Sequence, residues 1–183
     1  MQTAVQGGRS AFVVYCVQCH GSGGAGAPGY PNLNDDSWLW GGTFDAIHAT
    51  LLHGIRADDP DTRVNDMPAF VRDGLIDRAQ ANDVVEYVLT ISGQDADTAA
   101  AERGKVVFSE QCASCHGGNA KGLTDLGAPN LTDAIWLYGG DRNSLQQTVL
   151  NGRKGVMPAW QKILDAQTIK MLTVYVHSLG GGE

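Results

Sequence analysis

A chain of 183 residues that is 43% hydrophobic and 18% charged has the composition of a folded globular protein, which excludes disorder and fibre and leaves room for one domain or two small ones. The longest charge-free stretch, residues 10–34, is interrupted by glycines and prolines, so no apolar run long enough to span a bilayer is present. The net charge of −7 argues against nucleic acid, whose phosphates need a basic face, and favours basic partners. In chain order, a first helix carries Gly8 and Phe12 on one face and runs into a cysteine pair. A glycine-rich loop leads to a short helical stretch at Phe44 to Leu52. A helix capped by Asp77 then continues through Val84, Val85, Val88 and Leu89 and stops at Gly93. After a short polar stretch, Asp97 or Thr98 caps a helix with Gly104 and Phe108 that enters a second cysteine pair. A short helix follows near Leu145 to Leu150, and a last one starts at Asp165, runs through Ile169, Leu172, Val176 and Leu179, and ends at Gly180. No useful alternation of strand type occurs, so the expected class is all-α with much irregular chain.

The second half repeats the first. Cys16-Val17-Gln18-Cys19-His20 returns 96 residues later as Cys112-Ala113-Ser114-Cys115-His116. Pro31-Asn32-Leu33 and Trp38-Leu39-Trp40-Gly41-Gly42 return 98 residues later as Pro129-Asn130-Leu131 and Trp136-Leu137-Tyr138-Gly139-Gly140. Met67-Pro68-Ala69-Phe70 answers Met157-Pro158-Ala159-Trp160 at an offset of 90, so the first copy holds eight extra residues between Gly54 and Met67. The repeat divides the chain into domains 1–95 and 96–183, joined near Ser92 to Ala99.

C-x-x-C-H is the attachment pattern of a c-type haem: two thiols form thioethers to the vinyl groups, and the adjacent histidine reaches the iron. Half a zinc site or a thioredoxin-like pair are the alternatives, but zinc needs its ligands together and a redox pair needs a βαβ context. Two haem c groups are expected, held by Cys16, Cys19, Cys112 and Cys115, with His20 and His116 as axial ligands. For the sixth position Met1 is the initiator and Met171 lies in the last helix, which leaves Met67 and Met157, each in a loop before a proline. His53 is a rival to Met67, and His48 a weaker one; His177 sits at a helix end. The carbonyls of Pro31 and Pro129 are placed to accept from the axial histidines. Arg56 and Arg153, with Trp38 and Trp136 or Trp40, are candidates for the haem propionates. Histidine with methionine closes the iron to substrate, which points to electron transfer rather than to a diheme peroxidase or gas sensor. Each unit of about 90 residues has a thin core without its cofactor, so the haem-free form is expected to be largely unfolded.

These residues together resemble the diheme CcoP (FixP) subunit of cbb3-type cytochrome c oxidase. The W-L-W/Y-G-G frame in both halves is the most specific element, whereas C-x-x-C-H and Met-Pro are generic to class I cytochromes c. The resemblance covers nearly the whole chain and implies two tandem class I cytochrome c domains. It further implies axial pairs His20 with Met67 and His116 with Met157, and electron passage from a donor cytochrome c toward the other oxidase subunits. A free carrier of the cytochrome c4 type is the neighbouring reading. The family implies the periplasmic side of the bacterial inner membrane, reached through an N-terminal anchor. The expectation is that neither that anchor nor an export segment is in this sequence. Split at Thr98, the first half carries 5 basic and 13 acidic residues and the second 8 and 7. Asp58, Asp59, Asp61 and Asp66 are therefore expected to form an acidic face that steers a basic donor.

Overall fold

A computed structural model describes residues 2–180. Eight α-helices run in order: α1 (Gln2–Tyr15), α2 (Val17–His20), α3 (Phe44–His53), α4 (Arg78–Ile91), α5 (Thr98–Gln111), α6 (Ala113–His116), α7 (Arg142–Asn151) and α8 (Ala166–His177). Among the described residues there is no strand, only isolated bridges, so the expected all-α class is what the chain adopts. The helix starts follow from side-chain chemistry. Asp77 accepts from the Gln80 N–H while the Gln80 side chain accepts from the Asp77 N–H, a capping box. Asp97, Asp141 and Asp165 each cap the next helix by accepting from backbone N–H groups in its first turn.

The helices sort into two compact units, and these do not follow the repeat. One comprises residues 1–65 with 155–183, the other residues 66–154. In the first, α8 packs on α1 and α3; in the second, α4 packs on α5 and α7. The division at 95/96 marks the sequence repeat, whereas each packed unit takes its opening helix from one copy and its closing helix from the other. The likeness of the copies permits this, because either closing helix suits either opening helix.

Two glycines decide how closely these helices approach. A Cβ on Gly8 would stand 2.6 Å from Tyr175 Cβ and 2.7 Å from the Met171 carbonyl carbon, and nearer still to the Met171 oxygen. A Cβ on Gly104 would stand 2.8 Å from the Val84 nitrogen and nearer to the Asp83 carbonyl. The glycine repeated 96 residues apart is thus the point where backbone meets backbone, α1 against α8 and α5 against α4. Around the first crossing, Phe12, Ile47, Leu51, Ile169, Leu172, Tyr175 and Val176 form a buried core. Around the second, Val84, Val85, Val88, Leu89, Val107, Phe108, Leu145 and Val149 do the same.

Candidate metal centres

The helix α1 delivers Cys16 at its end, where the Cys16 N–H donates to the Phe12 carbonyl and the His20 N–H donates to the Cys16 carbonyl. Cys16, the residue before α2, is buried, and Cys19, one turn later on α2, is exposed. In the other unit Cys112, Cys115 and α6 repeat the arrangement after α5. Burial, and then the neighbouring thiol, pushes the Cys16 and Cys112 thiols up to about 11.

The histidines are oriented by the loops that follow. His20 Nδ1 lies 3.1 Å from the Pro31 carbonyl oxygen, and His116 Nδ1 lies 3.0 Å from that of Pro129. A carbonyl only accepts, so Nδ1 carries the proton and Nε2 keeps its lone pair for a metal. Burial holds both imidazoles below their ordinary pKa, partly offset by the bond to the proline carbonyl. The loop is closed tightly enough to hold this geometry. The Gly26 N–H donates to the His20 carbonyl at 2.7 Å and the Gly122 N–H to that of His116 at 2.8 Å. A side chain at either glycine would collide with backbone of the proline loop.

The methionines fall where the resemblance does not put them. Met157 packs against the core that holds Phe12 and Cys16, together with Leu33, Trp38 and Trp160. Met67 packs against the core that holds Phe108, together with Cys112, Leu131 and Trp136. The expected pairs are His20 with Met67 and His116 with Met157, whereas each methionine packs in the core that holds the first cysteine of the other repeat's motif, Met157 with Cys16 and Met67 with Cys112. Paired backbone bonds fix this exchange. Ile55 N–H donates to the Met157 carbonyl at 2.9 Å and Met157 N–H to that of Ile55 at 3.0 Å. Met67 and Arg153 exchange equivalent bonds at 3.1 and 3.0 Å. Gly54 and Gly152, with φ of 68° and 70°, admit these bridged segments because a Cβ would stand 2.8 Å from backbone of the methionine loops.

Other residues land as follows. Trp38 and Trp136 each lie against a glycine, Gly42 and Gly140, at the edge of their cores. Arg153 sits with its guanidinium carbon 4.2 Å from the Tyr138 ring centroid. Arg56 instead donates to the backbone carbonyls of Gly155, at 2.5 Å, and Asn65, which ties the two stretches of the first unit together. His53, the rival ligand, has Nδ1 3.0 Å from Asp59 Oδ1, and the Gln161 amide donates to Asp59 Oδ2 at 2.7 Å. His48 is half-buried on α3, and His177 stacks on Phe44 at 3.8 Å.

The acidic face is also corrected. Asp59 is buried, and Asp66 belongs to the other unit, 3.5 Å from Lys154 Nζ. By packed unit the first carries five basic and eight acidic residues, −3, and the second eight and twelve, −4. The asymmetry seen along the sequence is an effect of counting by repeat. Sequence reasoning also missed Arg63, whose guanidinium lies 5.1 Å from the Trp40 ring centroid. It falls in the eight-residue insertion, where no second copy exists to point to it.

The donors suit a haem c. Each unit offers two thiols one turn apart, an imidazole with a free Nε2 and a thioether in the same core. Among the described residues, no group of three His, Cys, Asp or Glu placed to hold a metal ion includes a cysteine, so neither cysteine pair is gathered with the further donors that a zinc site uses.

A family model described as cytochrome c oxidase, cbb3-type, subunit III matches residues 99–176, and one described as cytochrome c matches residues 5–92. A cbb3-type cytochrome c oxidase subunit CcoP of Cereibacter sphaeroides is 54% identical over 100% of this chain and 63% of its own length. A subunit of the same name from Azospirillum brasilense is 55% identical over 98% of this chain and 63% of its own. A subunit FixP from Bradyrhizobium is 53% identical over 96% and 61%. The chain thus spans a little under two thirds of the length of these curated relatives.

Proposed function

We propose that the chain, which is similar along its length to CcoP/FixP subunits and matches two tandem cytochrome c domains, is the diheme electron-transfer part of a cbb3-type cytochrome c oxidase subunit. Electrons pass from a donor cytochrome c through the chain toward other oxidase subunits, on the periplasmic side of the bacterial inner membrane. When bound, each haem supplies an iron that cycles between ferrous and ferric states one electron at a time.

The residues of this chain provide the rest. Cys16 with Cys19, and Cys112 with Cys115, tether the macrocycles. His20 and His116 present Nε2 because Pro31 and Pro129 fix the Nδ1–H tautomer. Met157 would close the His20 centre and Met67 the His116 centre, which would leave no position for a substrate and speaks against the peroxidase or sensor reading. Trp38 packs against the same core as Met157, and Trp136 against the same core as Met67. Net acidity in both units suits a basic donor.

The observation that carries the proposal is a thioether in the same core as each cysteine-histidine motif. It is tested on the reduced holoprotein labelled with carbon-13 at the methionine methyls. Two methyl resonances shifted strongly upfield by a porphyrin ring are expected, the Met157 signal with cross-peaks to Trp38 and the Met67 signal with cross-peaks to Trp136. Unshifted methyls, or a reduced protein that binds carbon monoxide stoichiometrically, would remove the closed-iron reading.

A further inference from the structure

The two units place a cation on the same aromatic ring by different routes. The ring is the third position of the W-L-W/Y-G-G segment, Trp40 in one copy and Tyr138 in the other. Over Tyr138 lies Arg153, the residue that follows the helix-ending Gly152, and its Nε donates to Thr148 Oγ1 at 2.9 Å. The corresponding residue after Gly54 is Ile55, which has no charge. The guanidinium over Trp40 is that of Arg63, eight residues further on and inside the insertion that the second copy lacks. The insertion returns to the same place: Ile55 and Arg63 form a parallel bridge, and the Arg56 N–H donates to the Arg63 carbonyl at 2.7 Å. From there the Arg63 guanidinium donates to the carbonyl oxygens of Trp40 at 3.0 Å and Ala46 at 3.5 Å.

Neither guanidinium has a carboxylate within ion-pair distance among the described residues. The partners of Arg63 are two carbonyls and a π face; those of Arg153 are a hydroxyl and a π face. Both residues are half-buried, and burial pulls the Arg63 pKa down from its ordinary value. A desolvated cation with only neutral partners is costly and is relieved by an anion with two oxygens matched to its fork. Each ring that carries a cation follows by two residues the tryptophan packed beside its unit's methionine, Trp40 after Trp38 and Tyr138 after Trp136.

We propose that Arg63 and Arg153 are equivalent anion-pairing residues, one per unit, each held over the ring at the third position of W-L-W/Y-G-G and presented to a carboxylate of that unit's haem. The eight-residue insertion thereby supplies to the first unit the cation that Ile55 cannot, and Arg63 takes the role that the repeat had assigned to Arg56. This rests on the two-haem reading above.

The test is a spectroelectrochemical titration of the diheme holoprotein that resolves both haems across the neutral pH range. A wild-type chain without two covalently bound haems would fail the two-haem reading itself, before any variant is compared. Given two haems, R63Q removes positive charge beside one of them. At a fixed poise the ferrous-to-ferric ratio of that haem falls about tenfold, 59 mV for a one-electron couple. Its potential also acquires a new pH dependence near neutrality, because the unpaired carboxylate now titrates higher. The other haem is unmoved, and R153Q reverses the assignment. R63K keeps the charge without the fork and shifts the same haem in the same direction by less. Adding I55R to R63Q returns the potential toward wild type. A purely structural arginine would not create the new pH dependence. Unchanged potentials and pH profiles in R63Q, or in R63K should R63Q fail to accumulate, overturn the proposal, as does an equal shift of both haems.

Discussion

The crossing of α1 and α8 at Gly8 offers the sharpest test of how the chain closes. A methyl group there would stand 2.6 Å from Tyr175 Cβ and 2.7 Å from the Met171 carbonyl carbon. Ordinary carbon contacts are about 3.5–4.0 Å, so α1 must lift by about 1 Å. The atoms in the way are backbone and a Cβ, which cannot swing aside. Lifting loosens Phe12 from its tilted contact with Tyr175, whose ring centroids are 5.3 Å apart, and separates it from Leu172, in a core with almost no exposure. Overpacking of this kind costs about 1–3 kcal/mol, against which Gly→Ala in a helix returns at most about 1 kcal/mol. Gly8→Ala is therefore expected to destabilise the first unit by about 1–2 kcal/mol, and Gly8→Val by more. Gly7→Ala is the control: the nearest atoms to its Cβ are the Sδ and Cε of the flexible Met171 side chain, and the cost should fall below about 1 kcal/mol. Denaturant unfolding of the oxidised holoprotein, followed through the sulfur-to-iron charge-transfer absorption, reads both variants. The Gly8 variant should lose the Met157 ligation first and leave that of Met67 in place. If Gly8→Ala matches wild type, or Gly7→Ala is equally damaging, the backbone crossing described here is wrong.

Gly54→Ala combines a left-handed φ, worth about 1–2 kcal/mol, with a collision against the Met157 loop, and should weaken sulfur ligation at the His20 centre alone. Gly152→Ala should do the same at the His116 centre, read by carbon monoxide binding to the reduced protein. At Asp59, burial raises the carboxyl pKa, but hydrogen bonds from Gln161, the Asp61 N–H and His53 outweigh it and hold the group below the ordinary carboxylate value. A depressed folded pKa gives stability that is present above the unfolded value, near 3.9, and is lost as pH falls through the folded one. An acid titration of stability should therefore show a steeper loss below about pH 4 in wild type than in Asp59→Asn; identical slopes would exclude the His53–Asp59–Gln161 web as its source. A chain with all four cysteines changed to serine cannot bind haem covalently and should give the poorly dispersed amide spectrum of a largely unfolded protein. A dispersed spectrum would show that the apolar cores suffice alone.

Much of this was legible in the residues because the chemistry is local. C-x-x-C-H sets its own helical turn, the proline carbonyls follow within eleven and thirteen residues of their histidines, and the aspartate caps announce their helices. What escaped was non-local. Nothing in Met67 or Met157 distinguishes the pocket of its own copy from that of the other, because Gly54 and Gly152 end equivalent helices and accept equivalent bridged segments. The four aspartates looked like one surface because sequence proximity says nothing of burial, and Asp59 turns inward to His53 and Gln161. Arg63 was silent for a further reason: repeats reveal a residue by its echo, and an insertion has none.

The exchange of closing segments has a genetic consequence. Cutting the polypeptide between residues 95 and 96, where the repeat divides, separates each cysteine-histidine motif from the methionine segment that packs with it. Neither half keeps both the opening and the closing helix of a packed unit, so a substitution in the Met67 loop is expected to act on the unit of Cys112 and His116.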